Sequence, residues 1–326
     1  MTTARTVPVT IEMDGDELDA EDAWHLARRH GLVRIAVASF VRFRYGDGFT
    51  HSRALALQAC LAVIPFMLAL TGLAADLDQQ RPGRVVASTI EQVSPGQGGS
   101  DALANAVVGS DSSEEAGELA LVLGLLLSLV SMIAAMGQVE RGANRIYGIR
   151  RDRPAAAKYG RAAMLAGVLA LPVGLGFLLL VAGGAFAGAM ADEYAWSAGE
   201  VTAWQVARWP VGTVLLVVAI AVLLDHAPRR RQPALSWLAL GSATAVVLTM
   251  MATAALAAYM QVSSSFGSTY GPLAGIVALL VWSLASAVAF FYGVAVCAQL
   301  EALRSGDAEP AYDDPGRPHG HAVAMS

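Results

Sequence analysis

Charge is scarcest in this chain where the chain is most apolar. Six long hydrophobic runs, at about 54–75, 119–139, 161–189, 209–225, 235–260 and 271–300, carry no Asp, Glu, Lys or Arg near their middles. Charges buried in such runs mark ion pathways, proton relays and voltage sensors, so their absence argues against a pump built on an intramembrane carboxylate and against a charged-filter channel. Cysteine is nearly absent too. Cys60 and Cys297 both sit inside apolar runs, which reads as two buried small hydrophobes and not as a disulfide framework. The P-loop, HExxH, CxxC and nucleophile-elbow patterns are all missing. The histidines (His25, His30, His51, His226, His319 and His321) are scattered without carboxylates at ligand spacing. No catalytic, cofactor or metal site is expected. Nuclease chemistry, which wants clustered acids on metal ions or a histidine pair, has no constellation to rest on.

What is present is material for hydrocarbon. Hydrophobic residues make up 55% of the chain and charged residues 15%, against about 25% charged in a soluble domain. A bilayer core of about 30 Å takes about 20 apolar residues as a helix. Five runs meet that length, and the fourth, from Trp209 to Leu224, is the shortest. The runs lack the period-2 alternation of barrel strands, so helices are expected: an all-α polytopic membrane protein with six transmembrane helices. Lysine and arginine set orientation. Arg28, Arg29, Arg34, Arg42, Arg44 and Arg53 precede the first run. Arg141, Arg145, Arg150, Arg151, Arg153, Lys158 and Arg161 lie between the second and third, and Arg229, Arg230 and Arg231 between the fourth and fifth. The other side has Arg81, Arg84 and Arg208. Both termini are therefore expected in the cytoplasm and the acidic connector 76–118 outside, a parity that fails if the short fourth run does not cross. No signal peptide is expected, since the first run follows a charged leader.

Residues 1–20 are polar and acidic and read as a disordered tail, residues 21–304 as one membrane domain, and residues 305–326 as a second disordered tail. Within 21–45, Trp24, Ala27, Val33, Val37 and Phe40 share one helical face and most arginines lie elsewhere. This pattern fits an N-terminal amphipathic helix in the membrane interface, or one packed on the end of the bundle. Gly46-Asp47-Gly48 ends it. Small and weakly polar residues line one face of several runs: Gln58, Ala62, Pro65 and Ala69 in the first; Ser128, Ser131, Ala135 and Gln138 in the second; Ser283, Ser286 and Gly293 in the sixth. Such faces serve helix contact or line a mildly polar groove, and the two uses are compatible. Gly160, Gly167 and Gly174 recur every seventh residue and read as a close-packing face, with Pro172 as a loosening point. Asp225, at a helix C-terminus where an acid is unfavourable, is expected to pair with Arg229–Arg231.

Gly142-Ala143-Asn144-Arg145-Ile146-Tyr147-Gly148-Ile149, just after the second run, resembles the "LNRIYGV" segment of the YihY/virulence-factor BrkB family of bacterial inner-membrane proteins, once labelled ribonuclease BN. Tyr270-Gly271-Pro272-Leu273-Ala274-Gly275, with Trp282 beyond it, resembles that family's "YGxLGA…LLW". The family's last span tends to end in "GAELNAxLE"; here Ala295 and Cys297 stand at the usual acid and amide, with Gln299 and Glu301 following. The resemblance implies an envelope-integrity role in the cytoplasmic (inner) membrane, with some members suggested to move lipids. The expectation is a non-enzymatic protein that handles lipid or another amphiphile. Gln58, Ser128, Ser131, Gln138, Ser283 and Ser286 are the candidate path. Tyr270 and Gly271 would shape the outer mouth, and Asn144, Arg145, Tyr147 and Gly148 the inner one. Membrane lipids with anionic headgroups are the expected partners at the arginine-rich face, with a second copy or an envelope protein as further partners and no nucleic acid. The alternatives are a non-transporting structural protein and, remotely, a membrane-tethered ribonuclease.

Overall fold

The computed structural model describes residues 5–13, 18–76, 85, 88–89, 114–262 and 274–313. Helices α1 (Ala20–His30) and α2 (Leu32–Tyr45) precede the long helices α3 (Gly48–Asp76), α4 (Glu114–Ile146) and α5 (Ala155–Phe177). A π-turn at Leu178–Ala182 leads into α6 (Gly183–Tyr194), followed by α7 (Ala198–His226), α8 (Leu235–Val262) and α9 (Ala274–Arg304). Among the described residues five helical segments are long and apolar enough to cross a membrane: 121–146, 155–180, 198–226, 235–260 and 274–304. The architecture is thus all-α and polytopic. The expected first span, 54–75, lies within α3, outside that set of five.

The short fourth run belongs to a 29-residue helix, α7. Its start at Ala198 is set by a capping box in which Ser197 Oγ accepts from the Glu200 backbone N–H at 3.4 Å and Glu200 Oε2 accepts from that of Ser197 at 2.7 Å. Such a box satisfies two otherwise unpaired donors at a helix start. The third run is broken beyond Pro172 by the π-turn. There Arg208 Nη1 donates to Leu179 O at 3.4 Å and Trp204 Nε1 to Gly183 O at 2.8 Å, so α7 supplies donors to carbonyls beside the irregular turn.

Glycines set the closest crossings. A Cβ on Gly124 would lie 2.5 Å from Pro65 O, and one on Gly241 or Gly293 2.6 Å from the other's carbonyl oxygen. α3 with α4, and α8 with α9, therefore meet backbone to backbone, as small residues allow in lipid. The seventh-residue glycines do not behave this way. A Cβ at Gly160, Gly167 or Gly174 would meet nothing within 4 Å. α5 packs on α7 instead through Gly176, against Leu216. The rhythm was real, but it marks a face turned away from neighbouring helices.

Two differences appear at the N-terminus. The expected single helix over 21–45 is two, split at Gly31, whose φ of 86° belongs to glycine. α2 packs on α9 with Ile35, Ser39, Arg42 and Phe43 buried, while Val33, Val37 and Phe40 are exposed. Arg42, expected on the polar face, is fully buried because partners await it inside. Residues 5–13, expected as part of a disordered tail, are placed on the bundle. β1 (Arg5–Thr6) pairs antiparallel with β2 (Tyr312–Asp313), and the Thr10 backbone N–H donates to Tyr147 O at 3.1 Å. Gly148, at φ 79°, makes room: a Cβ there would lie 2.4 Å from Pro8 O.

Candidate functional site

The sequence motif after the second run organises one end of the bundle, here called the basic end. The last turn of α4 presents Asn144, whose Oδ1 accepts from the Arg229 backbone N–H at 2.7 Å and whose Nδ2 donates to Asp152 Oδ1 at 3.1 Å. Asp152 Oδ2 accepts from Lys158 Nζ at 2.9 Å and Arg141 Nε at 3.0 Å. Burial opposes ionisation of Asp152, but the hydrogen bonds from Asn144, Lys158 and Arg141 prevail and hold its carboxyl down at about 2. Arg153 pairs with Glu140 at 3.1 Å and donates to the carbonyls of Ala227 and Pro228. Arg161 Nε donates to His226 O at 2.8 Å. Arg153 thereby ties the connector at 147–154 to the one at 227–234, and Arg161 ties the start of α5 to the end of α7. Asp225 contacts His226 Nδ1 at 2.9 Å, in place of the arginine run expected for it. An open groove of about 400 Å³ is bordered by Val9, Gly148, Ile149, Arg150, Arg151 and Arg229.

Beside it lies a buried polar cluster that joins five parts of the chain: the N-terminal segment, α2, the end of α4, the connector at 227–234, and α9 with the residues after it. Arg42 Nε of α2 donates to Gln299 Oε1 at 3.0 Å, and Arg42 Nη1 to Thr10 Oγ1 at 3.2 Å. Tyr147 OH donates to Glu301 Oε1 at 3.3 Å. Arg230 Nη2 donates to Glu301 Oε2 at 2.7 Å and to Ile11 O at 3.1 Å, and its guanidinium stands 4.5 Å over the Tyr147 ring. Gln299 Nε2 donates to Ala308 O at 2.9 Å. Arg42, Tyr147, Gln299 and Glu301 are all fully buried. Burial raises the Tyr147 hydroxyl well above its ordinary value, with the Glu301 charge adding to it. Burial also lowers Arg42 to about 10, against the opposing pull of Asp307, Tyr147 and Glu301. Gln299 and Glu301 are the two polar residues that follow the replaced family positions Ala295 and Cys297. The structure brings them to Tyr147 of the motif. Arg42 and Arg230 were missed as members, because arginines in a basic leader and a basic loop read as solvated. The only sequence signal for them is the pair Gln299 and Glu301, which are polar at the end of an otherwise apolar run and so need partners.

The other candidates are spread along the helices. Gln58, Ser128, Ser131 and Gln138 are half-buried. Ser283 is enclosed where α9 meets α3, accepting from Cys60 Sγ at 3.4 Å. Ser286 Oγ is buried without a partner among the described residues. Arg145 is half-buried at the end of α4. Tyr270 and Gly271 lie outside the described residues. Gln138, Ser131 and Ser128 climb one face of α4 from the basic end over about 15 Å, at about 1.5 Å per residue. Among the described residues no three His, Cys, Asp or Glu side chains stand together to hold a metal ion.

No solved structure matches the chain. The ribonuclease-like protein YfkH of Bacillus subtilis (strain 168) is 23% identical over 254 residues, covering 78% of this chain and 90% of YfkH. The family model described as Virulence factor BrkB matches residues 39–316, a stretch that holds Arg42, the Tyr147 motif, Arg230 and Glu301. With this match the chain belongs to the BrkB family.

Proposed function

We propose that this BrkB-family protein sits in the bacterial inner membrane with both termini in the cytoplasm and handles lipid or another amphiphile without catalysing a reaction. One observation carries the reading: α4 is enclosed by α5, α3 and α9 at its basic end, and farther along it keeps α3 against Gly124 while large apolar side chains beside that contact are exposed. Val122, Leu123, Leu125, Leu126, Leu127, Leu129 and Val130 are 47–64% exposed. From Gly137 to Tyr147 the same helix is packed against α5, α3 and α9. Ser128 and Ser131 lie at the border between these regions, half-buried among side chains that face hydrocarbon. A headgroup leaving the arginine-bordered groove would find Gln138, Ser131 and Ser128 in order while its tails stayed in the bilayer. The apolar outer face of α2 with nearby Arg34 and Arg44 fits a helix lying in the headgroup layer.

The test is transfer in liposomes containing fluorescent phospholipids. Wild-type protein should speed the exchange of label between leaflets, and Ser128→Leu with Ser131→Leu should reduce it. Exchange no faster than in protein-free liposomes, with both anionic and zwitterionic lipids, refutes the proposal. A scaffold role is the second reading. It draws on the backbone contacts at Gly241–Gly293 and Gly124–Pro65, and on Ser283 being closed in a helix contact. It predicts that the same serine changes alter assembly with a second copy or an envelope protein and leave lipid exchange untouched. The ribonuclease-like name of YfkH has no counterpart in a metal-holding group of side chains among the described residues.

A further inference from the structure

The two ends of the chain close over the buried cluster. β1 and β2 clasp residues 5–6 to 312–313. Inward from that clasp, Thr10 Oγ1 accepts from Arg42, Ile11 O from Arg230, and Ala308 O from Gln299. Both arginine side chains are enclosed, Arg42 with 0% residue exposure and Arg230 with 2% side-chain exposure. Yet Arg42 Nη2 and Arg230 Nη1 are buried with no hydrogen-bond partner among the described residues. Buried donors are almost always satisfied, and leaving one on a charged group idle is costly. The one fully buried carboxylate of the cluster among the described residues carries a single charge and accepts no hydrogen bond from Arg42. Glu301 commits Oε1 to Tyr147 and Oε2 to Arg230, and Asp307, the next acid facing Arg42, is only half-buried on the clasp. Two guanidinium groups around one buried carboxylate leave an excess positive charge and idle N–H groups on both arginines.

We propose that the Arg42–Arg230 cluster beneath the terminal clasp is a binding site for a phosphate-type oxyanion, either free or as the headgroup of an anionic lipid. Arginine suits this ligand because its planar fork matches phosphate oxygens and stays charged when buried. The fold also offers a way in. Val9 borders the arginine groove while its neighbours Thr10 and Ile11 touch the cluster. Lifting residues 8–11 would therefore join the two, with Arg150, Arg151 and Arg229 drawing anions to the entrance. Binding here does not require transport, so a failed liposome assay leaves this site standing and an empty site leaves the transport proposal standing.

The experiment uses the full chain in nanodiscs of zwitterionic phosphatidylcholine. They are titrated with inorganic phosphate in one arm and made with increasing phosphatidylglycerol in the other. Thermal melting and amide exchange over residues 5–11 and 306–312 are both read. The expected result is a saturable rise in melting temperature and slower exchange in those segments. Arg42→Lys and Arg230→Lys should each weaken the apparent affinity about tenfold or more, the scale of one lost charged hydrogen bond. A response to phosphate in the absence of anionic lipid assigns a free oxyanion, and a response to phosphatidylglycerol alone assigns a headgroup. No response in either arm overturns the proposal. So does a response removed by Arg150→Gln with Arg151→Gln but kept in both lysine variants, since that describes surface charge only. Should the lysine variants fail to fold, ligand-dependent protection of residues 8–11 in the wild type decides it, because simple ionic screening would not protect that segment selectively.

Discussion

Glu301 is the residue on which the basic end turns. Glu301→Gln keeps the shape of the side chain but leaves Arg230 buried without its counter-charge. Breaking a buried pair from one side costs about 3–5 kcal/mol. The variant should therefore melt well below wild type, whereas Arg150→Gln, on an exposed side chain, should fall within about 0.5 kcal/mol. Denaturant titration of the two proteins in the same detergent compares them. Asp152 gives a pH-dependent counterpart. Its carboxyl sits at about 2 in the folded chain against an ordinary 3.8, so the unfolded chain binds the proton more readily. Its contribution is present above about pH 4 and is lost as pH falls towards 2. Melting temperature should drop across that window in wild type, and Asp152→Asn should flatten this part of the profile while lowering stability at neutral pH. These two acids differ in how far the sequence disclosed them. Glu301 stood out as an acid ending an apolar run. Nothing local shows that Asp152, inside Arg150-Arg151-Asp152-Arg153, binds Asn144 and Lys158 in place of its flanking arginines.

Among the elements, hydropathy disclosed the long helices well because lipid enforces it: a spanning segment must satisfy its own backbone and show apolar side chains. Contacts between helices were less legible, since small residues are needed only where a partner arrives, and the partner is a property of the tertiary fold. Gly293 was legible on the small-residue face of the last run, but Gly241, its partner in the α8–α9 crossing, does not stand out in the sequence, whereas Gly160, Gly167 and Gly174, which do stand out, face no neighbour. Gly293→Val should cost at least the 1–3 kcal/mol typical of overpacking (about that range) because a carbonyl, not a movable side chain, blocks its Cβ. Gly167→Ala should be neutral or stabilising by up to about 1 kcal/mol, as it removes a flexible residue from a helix interior. Opposite signs for two glycine substitutions in one unfolding assay would bear out the contact geometry; a comparable loss in both would contradict it. The start of α7 was legible in principle. Ser197-Ala198-Gly199-Glu200 is a capping-box pattern, overlooked because the polar residues between 190 and 208 dominated the hydropathy of that stretch.

At the scale of the whole molecule, the terminal clasp bears on the number of crossings independently of the charge rule. Arg5–Thr6 and Tyr312–Asp313 are paired strands, so the chain enters and leaves the bundle at one end. Five crossings would separate those ends, and an even number returns them together. We propose α3 as the helix that would make the number even. It begins at the basic end, where His51 lies against Gly142, and runs antiparallel to α4 until Pro65 and Ala69 meet Gly124. Its 29 residues extend about 43 Å at about 1.5 Å per residue, enough to cross a hydrocarbon core of about 30 Å. We propose six crossings on these observations, and the charge rule would then put the arginine-bordered end in the cytoplasm. Membrane-impermeant thiol labelling tests it cleanly because both native cysteines, Cys60 and Cys297, are buried. Single cysteines placed at Arg150 and Asp313 should be protected in intact cells and react once the membrane is opened, while one at Asp101 should react from outside. Labelling of Asp101 and Arg150 positions from the same side would mean that α3 and α4 form a hairpin re-entering the face it left. The half of α4 that carries Ser128 would then lose its place in any path from one leaflet to the other.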